Sequence, residues 1–186
     1  MKVIVIMFLA VFAWFGSTVA AQETKKVQEP EYLSVFFYLE GTGDLRSLER
    51  QTPEQKVKVK GFGFGGGEGY MQIKGEKSPV RFKNDSKLEF VVLAASQQTD
   101  PMSLIQFYSF EPKKGLRQLM MAKVGSMGMS SKDVTNQSSV SFNAAKFGAS
   151  SFKIAPAYEL RPGEYCLSTA STATAFCFGI DAAITP

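Results

Sequence analysis

The sequence predicts an all-β protein, a single-domain antiparallel β-sandwich or barrel-like fold of about ten short strands with little helix. Three observations predict it. Short segments rich in Val, Ile, Phe and Tyr recur along the chain, clusters of Gly, Pro, Asn and Asp punctuate them, and no stretch sustains the period of a long amphipathic helix.

The first 21 residues read as a cleavable secretory signal. Lys2 gives a positive start, Val3 to Phe15 an apolar run, and Gly16 to Ala21 a small-residue stretch ending Val19-Ala20-Ala21. That run falls well short of the roughly 20 residues that a helix needs to span a bilayer, so cleavage before Gln22 is expected rather than a stable membrane span. Gln22 to Glu31 is a polar, flexible lead-in, and residues 32–186 make one domain.

Tyr32 to Leu39 is aromatic and branched, a buried strand closed by a turn at Glu40-Gly41-Thr42-Gly43-Asp44. Leu45 to Arg50 fits a short strand or one helical turn equally well. Lys56-Val57-Lys58-Val59-Lys60 alternates strictly, which puts Val57 and Val59 inward and three lysines on the other face of a strand. Tyr70 to Lys74, Val80 to Phe82 and Leu88 to Ala94 follow, the last two separated by Asn84-Asp85-Ser86.

Asp100-Pro101 breaks the chain before Ser103 to Phe110. Glu111-Pro112-Lys113-Lys114-Gly115 then has the composition of a tight reversal into Leu116 to Ala122, which reads as a strand although Leu116, Leu119, Met120 and Lys123 also fit helical spacing. Val124 to Gln137 has no sustained period and is expected as an exposed mobile loop. Ser139 to Phe142, Ser151 to Ala155, Pro162 to Ser168 and Ala173 to Ile180 complete the strands.

Composition narrows the chemistry. The chain has no histidine, which removes Ser-His-Asp and Cys-His nucleophile systems, His-containing zinc sites and imidazole proton shuttles. The net charge of +4 is mildly basic, and the five arginines, Arg46, Arg50, Arg81, Arg117 and Arg161, are scattered, so no nucleic-acid partner is expected. No cofactor or metal is expected either. Gly61, Gly63 and Gly66 match G-x-G-x-x-G, but a short strand follows where nucleotide binding needs a helix N-terminus. Met120, Met121, Met127 and Met129 are soft donors suited to Cu(I), yet they read more simply as gap-filling and loop residues.

The two cysteines sit in facing strand segments. A hairpin symmetric about Ser171-Thr172 pairs Cys166 with Cys177 and Leu167 with Phe176, and sets Tyr165, Leu167, Phe176 and Phe178 on one apolar face. Directly opposed cysteines in an exported protein predict a disulfide.

Two surface features are candidate contacts. The glycines around Phe62 and Phe64 read first as a flexible hairpin tip, on which the two aromatics are candidates to dock against a partner, a sugar or a membrane surface, with folding back onto the core as the alternative. Lys56, Lys58 and Lys60 form a candidate surface for anionic groups, although a solvated face that protects a strand edge is the commoner reason for such a pattern. The functional expectation is therefore a secreted or periplasmic protein that binds a protein or glycan of the cell envelope, or builds that envelope, without covalent catalysis. The alternative is a glycan hydrolase using a pair of carboxylates from Glu40, Asp44, Glu68, Glu89 and Asp100.

Overall fold

The computed structural model describes residues 27–61, 65–84, 87–125 and 131–183. The expected signal at residues 1–21 lies outside them. Among the described residues the chain forms β1 (Phe36–Leu39), β2 (Leu45–Ser47), β3 (Glu49–Gln51), β4 (Glu54–Val59), β5 (Gly67–Lys74), β6 (Arg81–Lys83) and β7 (Phe90–Leu93). A single helical turn, α1 (Pro101–Leu104), precedes β8 (Ile105–Lys113), β9 (Leu116–Val124) and β10 (Ser131–Asp133). A 3-10 turn (Thr135–Ser138) leads to β11 (Phe142–Phe147), β12 (Ser151–Pro156), β13 (Gly163–Thr169) and β14 (Ala175–Asp181).

Two sheets pack as a sandwich. One has the order β11-β12-β7-β1-β2, and the other runs β3-β14-β13-β8-β9-β5-β4, with β10 added beside β9 and β6 beside β14. Every pairing is antiparallel except that of β6 with β14. Leu45 to Arg50 resolves as extended chain that changes sheets. Buried Leu48 is the crossing point, with β2 in the first sheet and β3 in the second.

The main core lies between the sheets and is strongly aromatic. Phe36, Phe90, Phe107, Phe176 and Phe178 are all buried there, and Phe90, Phe107 and Tyr165 each contact the ring of Phe178 at centroid distances of 4.9, 6.0 and 5.7 Å. Alternation along β13 and β14 sends Tyr165, Leu167, Phe176 and Phe178 to this core, in the predicted register. Both strands are nevertheless buried on both faces, because a second core forms behind them. Ile73, Phe110, Leu119, Cys166, Ala175 and Cys177 make it.

That second core exists because the long sheet curls. Laid flat, β9 and β3 stand four strands apart, roughly 19 Å at the usual interstrand spacing. Instead the Arg117 guanidinium of β9 donates to both oxygens of Glu49 on β3, at 2.7 and 2.8 Å. The two terminal strands of the sheet, β3 and β4, are also consecutive in the chain, joined through Thr52 and Pro53. The sheet is thus rolled toward a barrel and pinned across its mouth by an ion pair.

Arg117 is completely buried, so its charge must be matched. Its Nε donates to the Gly75 carbonyl at 3.0 Å, and Glu164 stands 3.7 Å from Nη1. Glu164 in turn accepts from the Ser78 backbone amide at 2.8 Å and from Arg81, which also binds Asp181 at 2.7 Å. Gly179 lies under this network. A Cβ there would overlap the Arg81 guanidinium.

Several expectations are corrected. The first strand is shorter than Tyr32 to Leu39, because Tyr32 and Leu33 are exposed and this stretch meets β7 only at Leu93, through an isolated bridge from Leu33 and a hydrogen bond from Ser34 N at 3.0 Å. Val57 and Val59 do not face a core: they are 75% and 64% exposed, because β4 extends beyond the material on either side of its sheet. The segment expected as a loop from Val124 to Gln137 contains β10 and the 3-10 turn, with Val134 buried and donating to the Met121 carbonyl at 3.0 Å. Ser139 to Phe142 is replaced by a strand starting at Phe142. In the lead-in, Glu29 accepts hydrogen bonds from Ala149 N, Ser150 N and Ser151 Oγ, which anchors the chain at that point.

Candidate functional site

β4, β5, β9 and β10 form a four-stranded ribbon whose outer half runs past both cores. β4 is exposed along its whole length, as are Lys123 and Val124 at the end of β9. Register determines what each face carries, since residues directly opposed in neighbouring strands share a face. Lys58 is opposite Glu68, Glu68 opposite Lys123, and Lys123 opposite Lys132. These four residues make one row across the ribbon, with successive strands about 4.8 Å apart.

Lys56 and Lys60 flank Lys58 on the same face, so the three lysines singled out from the sequence do come together as one surface. They are joined by Lys123 and Lys132, which the sequence reading missed. A bulge explains the omission: Gly69 is opposite Ala122 and Tyr70 opposite Met120, leaving Met121 as an extra residue that shifts the phase of β9. Around the row this face carries Lys56, Lys58, Lys60, Lys123 and Lys132 with Glu54 and Glu68, and toward the body of the sheet it continues to Lys74 of β5 and Glu111 of β8. Glu54 pairs with Lys56 at 3.2 Å.

Glu68 organises the centre of the row. It accepts from Lys60 Nζ at 2.6 Å and from the Tyr70 hydroxyl at 2.6 Å, while Lys58 Nζ stands 4.5 Å from the centroid of the Tyr70 ring. Hydrogen bonds from Lys60 and then Tyr70 lower the Glu68 carboxyl to about 2. The same carboxylate, followed by burial, pushes the Tyr70 hydroxyl up to about 12. Glu68 is therefore a fixed anion that holds Lys60 and Tyr70 in place within a cationic surface.

The opposite face of the outer ribbon carries Val57, Val59, Gly67, Gly69, Ala122 and Val124. Gly66, immediately before β5, has φ +83, and a Cβ there would overlap the Val124 carbonyl. This close approach brings the start of β5 against the end of β9. Phe62 and Phe64, in the connection between β4 and β5, lie outside the described residues, as do Met127 and Met129.

The two cysteines are opposed in register, with Cα atoms 4.1 Å apart and sulfurs at the disulfide distance of 2.08 Å. Both are buried in the wall of the second core.

The five carboxylates considered for acid-base chemistry are dispersed with one exception. Asp100 caps α1 by accepting from Met102 N at 2.9 Å, and Asp44 accepts from Thr42 Oγ1 at 2.8 Å. Glu40 and Glu89 instead line the same open groove of about 610 Å³, together with Lys87. Burial alone would raise Glu89, but hydrogen bonds from Lys153 and Lys87 outweigh it and keep the carboxyl below its ordinary value. No family model matches the chain, and no curated protein or solved structure gives a match to it.

Proposed function

We propose that this is an exported binding or structural component of the cell envelope, secreted or periplasmic, that holds an anionic glycan on the lysine face of the ribbon and performs no covalent chemistry. The observation that carries the reading is the cross-strand row Lys58-Glu68-Lys123-Lys132, flanked by Lys56 and Lys60. Five ammonium groups on a twisted ribbon exposed beyond the core suit an extended polyanion better than a small enclosed ligand. The buried cysteine pair accords with an oxidising compartment, and no helix among the described residues is long and apolar enough to cross a membrane.

Retention on immobilised polygalacturonate tests the reading. The wild-type chain should be retained at low salt and released as ionic strength rises, because exposed charge pairs are screened. The triple variant Lys56→Gln, Lys58→Gln, Lys60→Gln should bind about tenfold more weakly, at roughly 0.5 kcal/mol for each exposed contact. Equal retention of the two proteins, or retention indifferent to salt, contradicts the proposal.

The groove shared by Glu40 and Glu89 favours the carboxylate-based hydrolase as a second reading. Its test is turnover: reducing ends released from a polysaccharide by the wild type and abolished by either Glu40→Gln or Glu89→Gln would replace a binding function with an enzymatic one.

A further inference from the structure

The rolled sheet is filled at one end and open at the other. Arg117, Glu49 and Glu164 occupy the filled end, where the ion network is buried. Along β13 the chain runs from Glu164 at that end to Ser168 at the other, and the register sets Gln106 of β8 and Ala175 of β14 beside Ser168. A pocket of about 190 Å³ lies there, inside the roll.

Its lining has two parts. Phe110, Cys166 and Ala175, all buried, form an apolar inner wall with half-buried Met71. Thr172 and Ala173, exposed in the turn between β13 and β14, stand at the entrance with Gln106 and Ser168 beside them. No charged side chain lines the pocket. Ser168 Oγ and the Gln106 side-chain oxygen are 3.3 Å apart, which ties one end of the Gln106 amide to the wall. Its other end, Nε2, donates to no protein group among the described residues.

We propose that this pocket binds a small neutral phenol. An apolar cavity of about 150 Å³ takes a benzene ring, so this volume suits one ring with a small substituent and excludes a long acyl chain. The ring lies against Phe110, the Met71 thioether and Cys166 Sγ, since aromatic and sulfur groups both pack favourably on an aromatic face. Its hydroxyl, which both donates and accepts, pairs with the free end of the Gln106 amide. A carboxylate or ammonium ligand would enter without a counter-charge, and a purely apolar one would leave the amide without a partner. The inference is independent of the proposed glycan surface, since none of the lysines of the ribbon lines the pocket.

The test is methionine-methyl NMR on the full chain, titrated with p-cresol at about pH 7, where a phenol is neutral. Gln106 and Tyr108 also border a neighbouring cavity of about 390 Å³ that Met102 lines, so two methyl groups report which space is filled. The Met71 methyl should shift saturably and the Met102 methyl should stay in place. Gln106→Leu should weaken binding about fivefold, the loss of one hydrogen bond. Ala173→Trp should abolish it by blocking the entrance, with a thermal melt matching the wild type because residue 173 is exposed. 4-Hydroxybenzoate, the same ring bearing a charge, should not bind. The Lys56→Gln, Lys58→Gln, Lys60→Gln variant should bind p-cresol as the wild type does. No saturable shift at Met71, a shift at Met102 alone, binding that survives Ala173→Trp, unchanged affinity in Gln106→Leu or equal binding of the benzoate would each overturn the assignment.

Discussion

Arg81 and Gly179 show how little room the buried ion network leaves. Arg81 bridges Glu164 and Asp181 across the backbone of Gly179, and any side chain at that position meets the guanidinium. Gly179→Ala should therefore displace Arg81 and leave Glu164 short of a partner, costing about 3 kcal/mol as is usual when one member of a buried pair is lost. Urea denaturation measures this directly, and a change below about 1 kcal/mol would show that the network repacks without strain. Glu68 and Tyr70 allow a second test at this scale. Removing the carboxylate by Glu68→Gln should bring the Tyr70 hydroxyl down from about 12 toward its ordinary value of 10, read from phenolate absorbance. A Tyr70 titration that does not move would mean that Glu68 is not its partner in solution.

Among the elements, the hairpin of β13 and β14 was the most legible in the sequence and the ribbon the least. Cys166, Cys177, Leu167 and Phe176 specify one register between them, since a single-residue slip would send Phe176 and Phe178 away from the sandwich core. The turn chemistry at Lys114-Gly115 is equally local. Both residues take positive φ, and the hairpin forms there with strands that run through Glu111 to Lys113 rather than stopping before them. The ribbon gave a false signal because alternation reports a strand but not what covers it. Lys56 to Lys60 alternates as a half-buried strand does, yet Val57 and Val59 face solvent. Lys123 and Lys132 escaped notice because their membership of the face depends on a bulge at Met121 and a three-residue strand, neither of which leaves a period to read. Two predictions belong here. Replacing Val57 and Val59 together by threonine should change stability by less than about 1 kcal/mol, as expected of exposed positions, and a large loss on thermal unfolding would mean that this face is covered. Converting both cysteines to alanine should cost about 2–3 kcal/mol by loosening the unfolded chain across their short loop, measured by denaturant unfolding with and without reductant.

For the molecule as a whole, the curled sheet ties fold to pH. Burial alone would raise Glu49, but Arg117, aided by Gln51 and Ser78, holds the carboxyl below its ordinary value of 4.5. A carboxyl lowered on folding contributes stability that is fully present above 4.5 and is lost as pH falls through the lower folded value. The Glu49–Arg117 bond pins the roll of the sheet, so acid should open the second core, and Glu49→Gln should flatten this part of the stability profile below pH 4.5. The same roll leaves the outer ribbon projecting with its lysines aligned, so the shape of the sheet and the proposed binding surface have a common origin. NMR mapping of polygalacturonate binding addresses that surface most directly. The account predicts salt-sensitive shifts concentrated at Lys56, Lys58, Lys60, Lys123 and Lys132, with Glu49, Arg117 and the sandwich core unmoved. Shifts confined to other faces, or no saturable shifts at low salt, would contradict it.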